Sequence, residues 1–286
     1  AMRLKADFIA TGHYCRKDTV EVNGIETHRL LAGKDNNKDQ SYFLCQLTQE
    51  QLSKALFPIG ELTKPEVRQI AKEIGLVTAD KKDSQGLCFI GKVRLPEFLQ
   101  QKLEPKKGTV IEVPANGRAF ENNPVDLALN GAASATLKSL SEPFHYSFDD
   151  GQKVGEHNGA HYYTIGQRKG LNIGGTPEPL FIIDTDTKEN VIYTGQGENH
   201  PGLYRKGLFI AKEEMHWVRP DLALKVGDSK EYQVRIRYRQ ALEAATLFMR
   251  EDGLYLIFNR PQKAIAAGQF AVWYDGDELV GSGVIN

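Results

Sequence analysis

Tyr232-Gln233-Val234-Arg235-Ile236-Arg237-Tyr238 alternates without a break, and its reading decides the fold of the C-terminal part of the chain. Period-two alternation marks a strand with one packed face and one wet face. Arg235, Arg237 and Arg239 fall on one side of such a strand, and Ile236 and Tyr238 on the other. Similar alternation returns over residues 244–250, 254–258, 270–274 and 278–285. Several short strands at this spacing predict a small antiparallel β-barrel, beginning near residue 206. Three arginines on one strand face would make a local phosphate-binding stripe. A plain solvated barrel face is the alternative. Tyr238 reaches the arginine side only if a bulge or the end of the strand turns it.

Upstream of this barrel, composition changes at Pro105-Lys106-Lys107-Gly108. Residues 105–205 read as a small, mostly β central domain, with strands over 109–113, 180–184 and 190–194. Residues 114–150 lack periodicity and read as an insertion, helical in part over 126–140. Glycines 155, 159, 166, 170, 174 and 175 crowd the stretch after it. His157 and His161 are four apart there, but the flanking glycines argue against a helix, no carboxylate or cysteine completes a ligand set, and no metal site is expected.

Residues 1–104 have α/β character. Phe8-Ile9-Ala10 is a short strand running into Thr11-Gly12-His13-Tyr14, the kind of strand-end turn where open α/β sheets bind ligands. Asn23-Gly24 marks a hairpin. Asp39 is a candidate N-cap for a helix over 41–47 that would bury Cys45. Thr48…Gln51 and Thr63…Glu66 match capping boxes. The second opens a helix with Val67, Ile70, Ala71 and Ile74 on one stripe, ended by Gly75. A further short helix is expected over 95–103.

Between these helices lies Lys82-Asp83-Ser84-Gln85-Gly86-Leu87-Cys88-Phe89-Ile90-Gly91, a loop composition with a cysteine between two glycines. Accessible loop thiols near lysines, here Lys81 and Lys82, have the low pKa that nucleophilic sulfur needs. The alternative is a small buried hydrophobe, flanked as it is by Leu87, Phe89 and Ile90.

The chain has 286 residues, with 36 Lys+Arg against 37 Asp+Glu. A balanced total excludes a globally basic nucleic-acid binder, so any such surface must be local. Three widely spaced cysteines form neither a disulfide framework nor a zinc site, and the chain reads as intracellular and cytoplasmic. No apolar run approaches a membrane span, and no membrane partner is expected.

Five segments in order, Ala10-Thr11-Gly12-His13-Tyr14, Asn37-Lys38-Asp39-Gln40-Ser41-Tyr42-Phe43-Leu44, Gly86-Leu87-Cys88-Phe89-Ile90-Gly91, Thr164-Ile165-Gly166-Gln167-Arg168-Lys169-Gly170-Leu171 and Arg237-Tyr238-Arg239-Gln240, together resemble the tRNA-specific 2-thiouridylases (MnmA/TrmU family). The resemblance covers nearly the whole chain apart from 114–150. It implies an α/β + β fold: the C-terminal part of a Rossmann-like ATP-pyrophosphatase (adenine nucleotide alpha-hydrolase-like) domain, a small central domain and a C-terminal antiparallel β-barrel. It implies ATP-dependent thiolation of the wobble uridine (U34) at C2, releasing AMP and pyrophosphate. ATP, with Mg2+, is the implied co-substrate, and a cysteine persulfide supplies the sulfur. The implied partners are tRNAs of the Lys, Glu and Gln type and a sulfur-relay donor or cysteine desulfurase.

By the same resemblance Cys88 carries the persulfide and Gly12 approaches ATP. His13, Lys38, Asp39, Gln40, Arg237, Tyr238 and Gln269 contact tRNA. A turn histidine at 13 and an ordinary capping loop at 38–40 are the plain alternatives. The family's Ser-Gly-Gly-Val-Asp-Ser phosphate loop does not occur in these 286 residues. Its nucleophilic cysteine, which pairs with the persulfide cysteine, is also missing, and Cys15 and Cys45 do not stand at its position. The chain is therefore expected to lack the N-terminal part of the enzyme, to expose apolar strand edges, and to be inactive by itself. A non-catalytic tRNA-binding module is the competing expectation.

Overall fold

The computed structural model describes residues 6–81, 98, 100–121 and 133–286. The chain divides into two compact units. One comprises Ala1–Lys82, Phe209–Arg260 and Ala267–Asn286, and the other Asp83–Leu208 and Pro261–Ala266.

The first unit opens with the strand Ile9–Ala10, which pairs in parallel with Ala55–Leu56. Only two residues pair on each side, and Phe8, Ile9 and Leu56 remain exposed. The chain then enters the hairpin of Cys15–Val22 and Ile25–Ala32. Its turn is Asn23-Gly24 with φ of 52° and 77°. Positive φ at both central residues matches the strand twist, and asparagine and glycine tolerate it.

This hairpin joins the C-terminal strands in one sheet. The order is Cys15–Val22, Ile25–Ala32, Glu278–Val284, Phe270–Asp275, Ser229–Arg235, Glu243–Met249, Gly253–Lys263 and Tyr204–Ala211. The two end strands do not pair with one another among the described residues, while Met215–Trp217, which follows Tyr204–Ala211 in the chain, pairs with Glu278–Val284 off this path. Leu30 and Leu31 of the hairpin pair with Glu278 and Leu279 at the start of the same strand. The core beneath holds Cys15, Leu30, Cys45, Leu52, Val218, Val272, Tyr274 and Leu279. Each side chain removed from water there adds about 1.5–3 kcal/mol for the larger residues.

Local signals act as expected at both capping boxes. Thr48 N–H donates to Gln51 Oε1 at 3.0 Å, and Thr48 Oγ1 accepts from Gln51 N–H at 3.2 Å. Thr63 N–H donates to the Glu66 carboxylate at 2.6 Å and opens the helix Lys64–Glu73. None of that helix's residues is buried, and Ile70 and Ile74 lie exposed. The helix expected over 41–47 is a shorter 3-10 turn, Ser41–Leu44. The helix expected over 95–103 lies largely outside the described residues.

The second unit carries a four-stranded sheet in the order Gln152–His157, Gly108–Glu112, Val191–Gln196 and Leu180–Asp186. The 114–150 segment contributes the helix Ser134–Ser141, with Leu137 and Leu140 buried. Phe120 and Tyr146 from the same segment pack on Ile111, Val113, Phe181, Ile183, Val191, Tyr193 and Leu203.

Candidate nucleic-acid interface

The 35–40 loop is folded by Asp35, whose Oδ1 accepts from Asn37 N–H at 3.0 Å while its carbonyl accepts from Lys38 N–H at 2.9 Å. Short Asp side chains favour such turns because they replace a backbone acceptor. Asp39 then points inward and is only 4% exposed. Its Oδ1 accepts from Gly33 N–H at 3.2 Å and Ser41 N–H at 3.0 Å. Its Oδ2 pairs with Arg235 Nη1 at 3.2 Å.

Gln40 ties this loop to the strand-end turn. Its side-chain oxygen accepts from Tyr14 N–H at 3.0 Å, and its own N–H donates to Tyr14 O at 3.1 Å. His13 is thereby placed one residue from the loop's anchor. Its Nδ1 lies 2.7 Å from Thr11 Oγ1, and burial pulls the imidazole below its ordinary pKa. Gly12 is exposed, and a Cβ placed on it meets nothing within 4 Å among the described residues. Internal packing therefore does not demand glycine there, whereas close approach of an external group would.

The arginine stripe does not exist as one face. The strand ends at Arg235, and residues 236–239 form a turn. Ile236 is buried, its N–H donates to Gln240 Oε1 at 3.1 Å, and Gln240 N–H donates back to Arg237 O at 3.2 Å. Arg239 adopts φ of +64°. The three arginines therefore separate by role. Arg235 is spent on Asp39 and lies over the Tyr274 ring at 5.1 Å. Arg237 is half-buried, with Nε 3.4 Å from Gln269 Oε1. Burial lowers its guanidinium from the ordinary value, partly offset by Tyr42. Arg239 stays exposed and lies 5.2 Å over the Tyr238 ring. The strand end is what turns Tyr238 toward the arginines.

Gln269 stands after Gly268, whose φ is +80°, and its carbonyl accepts from Ile285 N–H at 2.8 Å. Tyr42 stitches these parts together, its hydroxyl donating to Phe270 O at 3.0 Å and lying 3.4 Å from Ile236 O. Ser41 Oγ meets Tyr274 Oη at 3.1 Å. One unit thus brings His13, Lys38, Gln40, Arg237, Tyr238 and Gln269 into a connected network of loops. Sequence reasoning gave Tyr42 and Phe43 no role, although both stand inside a quoted motif. Tyrosine and phenylalanine side by side in an otherwise polar loop were the available signal.

Cys88 and its loop lie outside the described residues. Cys15 and Cys45 are buried and free, and burial pushes both thiols above their ordinary pKa, Cys15 strongly. Neither has the accessible thiolate of a nucleophile. Among the described residues no group of three His, Cys, Asp or Glu side chains is arranged to hold a metal ion. No helix among them is long and apolar enough to cross a membrane.

Three family models match the chain. These are a tRNA methyl transferase HUP domain over residues 1–92, a tRNA methyl transferase PRC-barrel domain over 145–196, and an aminomethyltransferase beta-barrel domain over 208–285. The chain is 60% identical over 286 residues to the tRNA-specific 2-thiouridylase MnmA of Christiangramia forsetii, covering all of this chain and 72% of that protein. It is 58% identical over 286 residues to the protein of the same name from Flavobacterium johnsoniae, with the same coverage. The protein of that name from Karelsulcia muelleri is 46% identical over 283 residues, 99% of this chain and 70% of the relative.

Proposed function

The chain belongs to the tRNA-specific 2-thiouridylase family, and on that premise we propose that it serves ATP-dependent thiolation of the wobble uridine at C2. The observation that carries this reading is the joining of the 12–14 turn, the 38–43 loop, the 236–239 turn and Gln269 in one unit. A base-modifying enzyme needs a nucleotide site and an RNA surface side by side, and Gly12 at the open strand end adjoins this one. His13, Lys38, Gln40, Arg237, Tyr238 and Gln269 are the residues assigned to tRNA. Asp39 acts through Arg235, holding the loop, because its own oxygens are engaged inside.

In this chemistry uridine O2 attacks the α-phosphorus of ATP, and pyrophosphate leaves. The amide-like oxygen, otherwise a poor leaving group, then departs from C2 with AMP. Magnesium, when bound with the triphosphate, would neutralise part of its charge. Cys88 would carry the sulfur as a persulfide, loaded by a sulfur-relay protein or cysteine desulfurase. Its outer sulfur attacks C2 as AMP leaves. The thiolate of the family's second cysteine then attacks Cys88 Sγ, breaking the S–S bond, leaving the sulfur on C2 and closing a disulfide that supplies the two electrons. The tRNAs are those for Lys, Glu and Gln.

The Ser-Gly-Gly-Val-Asp-Ser phosphate loop is absent from these 286 residues. This favours a second reading for the polypeptide taken alone, a module that holds tRNA without chemistry. The test is nucleoside mass spectrometry of substrate tRNA after incubation with ATP, magnesium and a sulfur donor. The 286 residues alone should give no 2-thiouridine. Adding a polypeptide that carries the phosphate loop and second cysteine should give it, and Cys88→Ser in that mixture should remove it. Thiouridine from the Cys88→Ser protein would refute the assignment of Cys88.

A further inference from the structure

Phe43 is 55% exposed, which is costly for a large ring unless something covers it. It is not loosely held. Tyr42, its neighbour, is bonded to the backbone at Phe270 and Ile236, and meets the Phe43 ring edge-on at 5.9 Å. Across the 38–43 and 236–239 loops, the Phe43 and Tyr238 rings lie 4.4 Å apart at 44°. The Arg239 guanidinium lies 5.2 Å over the Tyr238 ring. Arg239 is held there by a left-handed backbone, φ +64°, that a non-glycine residue adopts only under constraint. Two aromatic rings and a planar cation therefore stand together on two loops that the Asp39–Arg235 pair anchors from beneath.

We propose that Phe43 and Tyr238 form a stacking platform, flanked by Arg239, for an unpaired base of the tRNA loop. This rests on the tRNA-binding reading above and adds to it a residue, Phe43, and a mode of contact. The occupant is a nucleobase rather than an apolar peptide because Arg239 lies over one of the rings, and Lys38 and Arg237 stand on the same two loops in the sequence. Aromatic rings paired with cations suit a flat π-face attached to a phosphate chain. Every base has such a face, so the platform fixes the position of a base and leaves its identity to be read elsewhere.

The test uses the 286-residue chain and anticodon stem-loop RNAs carrying 2-aminopurine at each loop position in turn. Stacking on the platform should quench one or two of these positions. Phe43→Ala should abolish that quenching and weaken binding about tenfold, the loss of one stacked base. Phe43→Trp should keep both, and Phe43→Leu, equally apolar but without a π-face, should not. The dependence of affinity on salt should not change in any of them, because no phosphate contact is removed. Wild-type quenching and affinity in Phe43→Ala or Phe43→Leu would overturn the platform. So would tight binding with no quenched position in the wild type, which would leave the rings to a protein partner. A wild-type chain that fails to bind the RNA at low salt would overturn the tRNA reading itself, a separate result.

Discussion

Asp39→Ala is expected to destabilise the first unit by about 3–5 kcal/mol, the cost of removing one partner from a buried ion pair. Asp39 is almost wholly buried, and the Arg235 side chain is 13% exposed. With the carboxylate gone, the guanidinium keeps the Tyr274 ring beside it but loses its ion pair, and its Nε already has no hydrogen-bond partner among the described residues. The amides of Gly33 and Ser41 lose their acceptor as well. Asp39→Asn retains an acceptor for those amides and should cost less. Urea unfolding followed by tryptophan fluorescence measures this, since Trp217 and Trp273 both lie in this unit, their rings 5.1 Å apart. An unchanged midpoint for Asp39→Ala would mean that the pair does not hold the loop.

The second large effect concerns Arg237. Arg237→Ala should weaken binding of substrate tRNA about tenfold to a hundredfold, the range for losing one charge-assisted hydrogen bond. The slope of log affinity against log salt should fall by about 0.7, one phosphate contact to a single-stranded segment. Its half-buried stem makes a modest contribution to packing, so the unfolding midpoint should move far less than in Asp39→Ala. Arg235→Ala should show the opposite division, with a large loss of stability. Equal effects of the two substitutions on the salt slope would restore the single arginine stripe that strand alternation predicts.

The contrast between these two arginines shows where sequence reasoning stops. Alternation places Arg235, Arg237 and Arg239 together because it assumes that the strand continues. The strand ends where Gln240 folds back on Ile236, and nothing in period-two patterning signals a side chain capping its own turn. The partner of Arg235 lies 196 residues away, and one sequence cannot couple such positions. Local signals fared differently. The Asn23-Gly24 hairpin, both capping boxes and the Lys64–Glu73 helix were legible because each rests on chemistry within a few residues.

Strand positions in the C-terminal part were legible for the same reason, and the order of the strands in the sheet was not. Glu278–Val284 pairs with the hairpin and with Met215–Trp217, and only tertiary packing decides those pairings. At the candidate site, resemblance supplied the residues while the fold shows their surroundings. Asp39 lies buried against Arg235, and Phe43, a motif letter in the sequence, is an exposed ring beside Tyr238.

On the proposed reading the 12–14 turn, the 38–43 loop, the 236–239 turn and Gln269 make one tRNA surface. Photo-crosslinking with substrate tRNA carrying 4-thiouridine in the anticodon loop tests it most directly. Crosslinked peptides identified by mass spectrometry should contain residues 12–14, 38–43, 237–239 or Gln269. Crosslinks confined to the glycine-rich 155–175 segment, with none on those loops, would contradict the account.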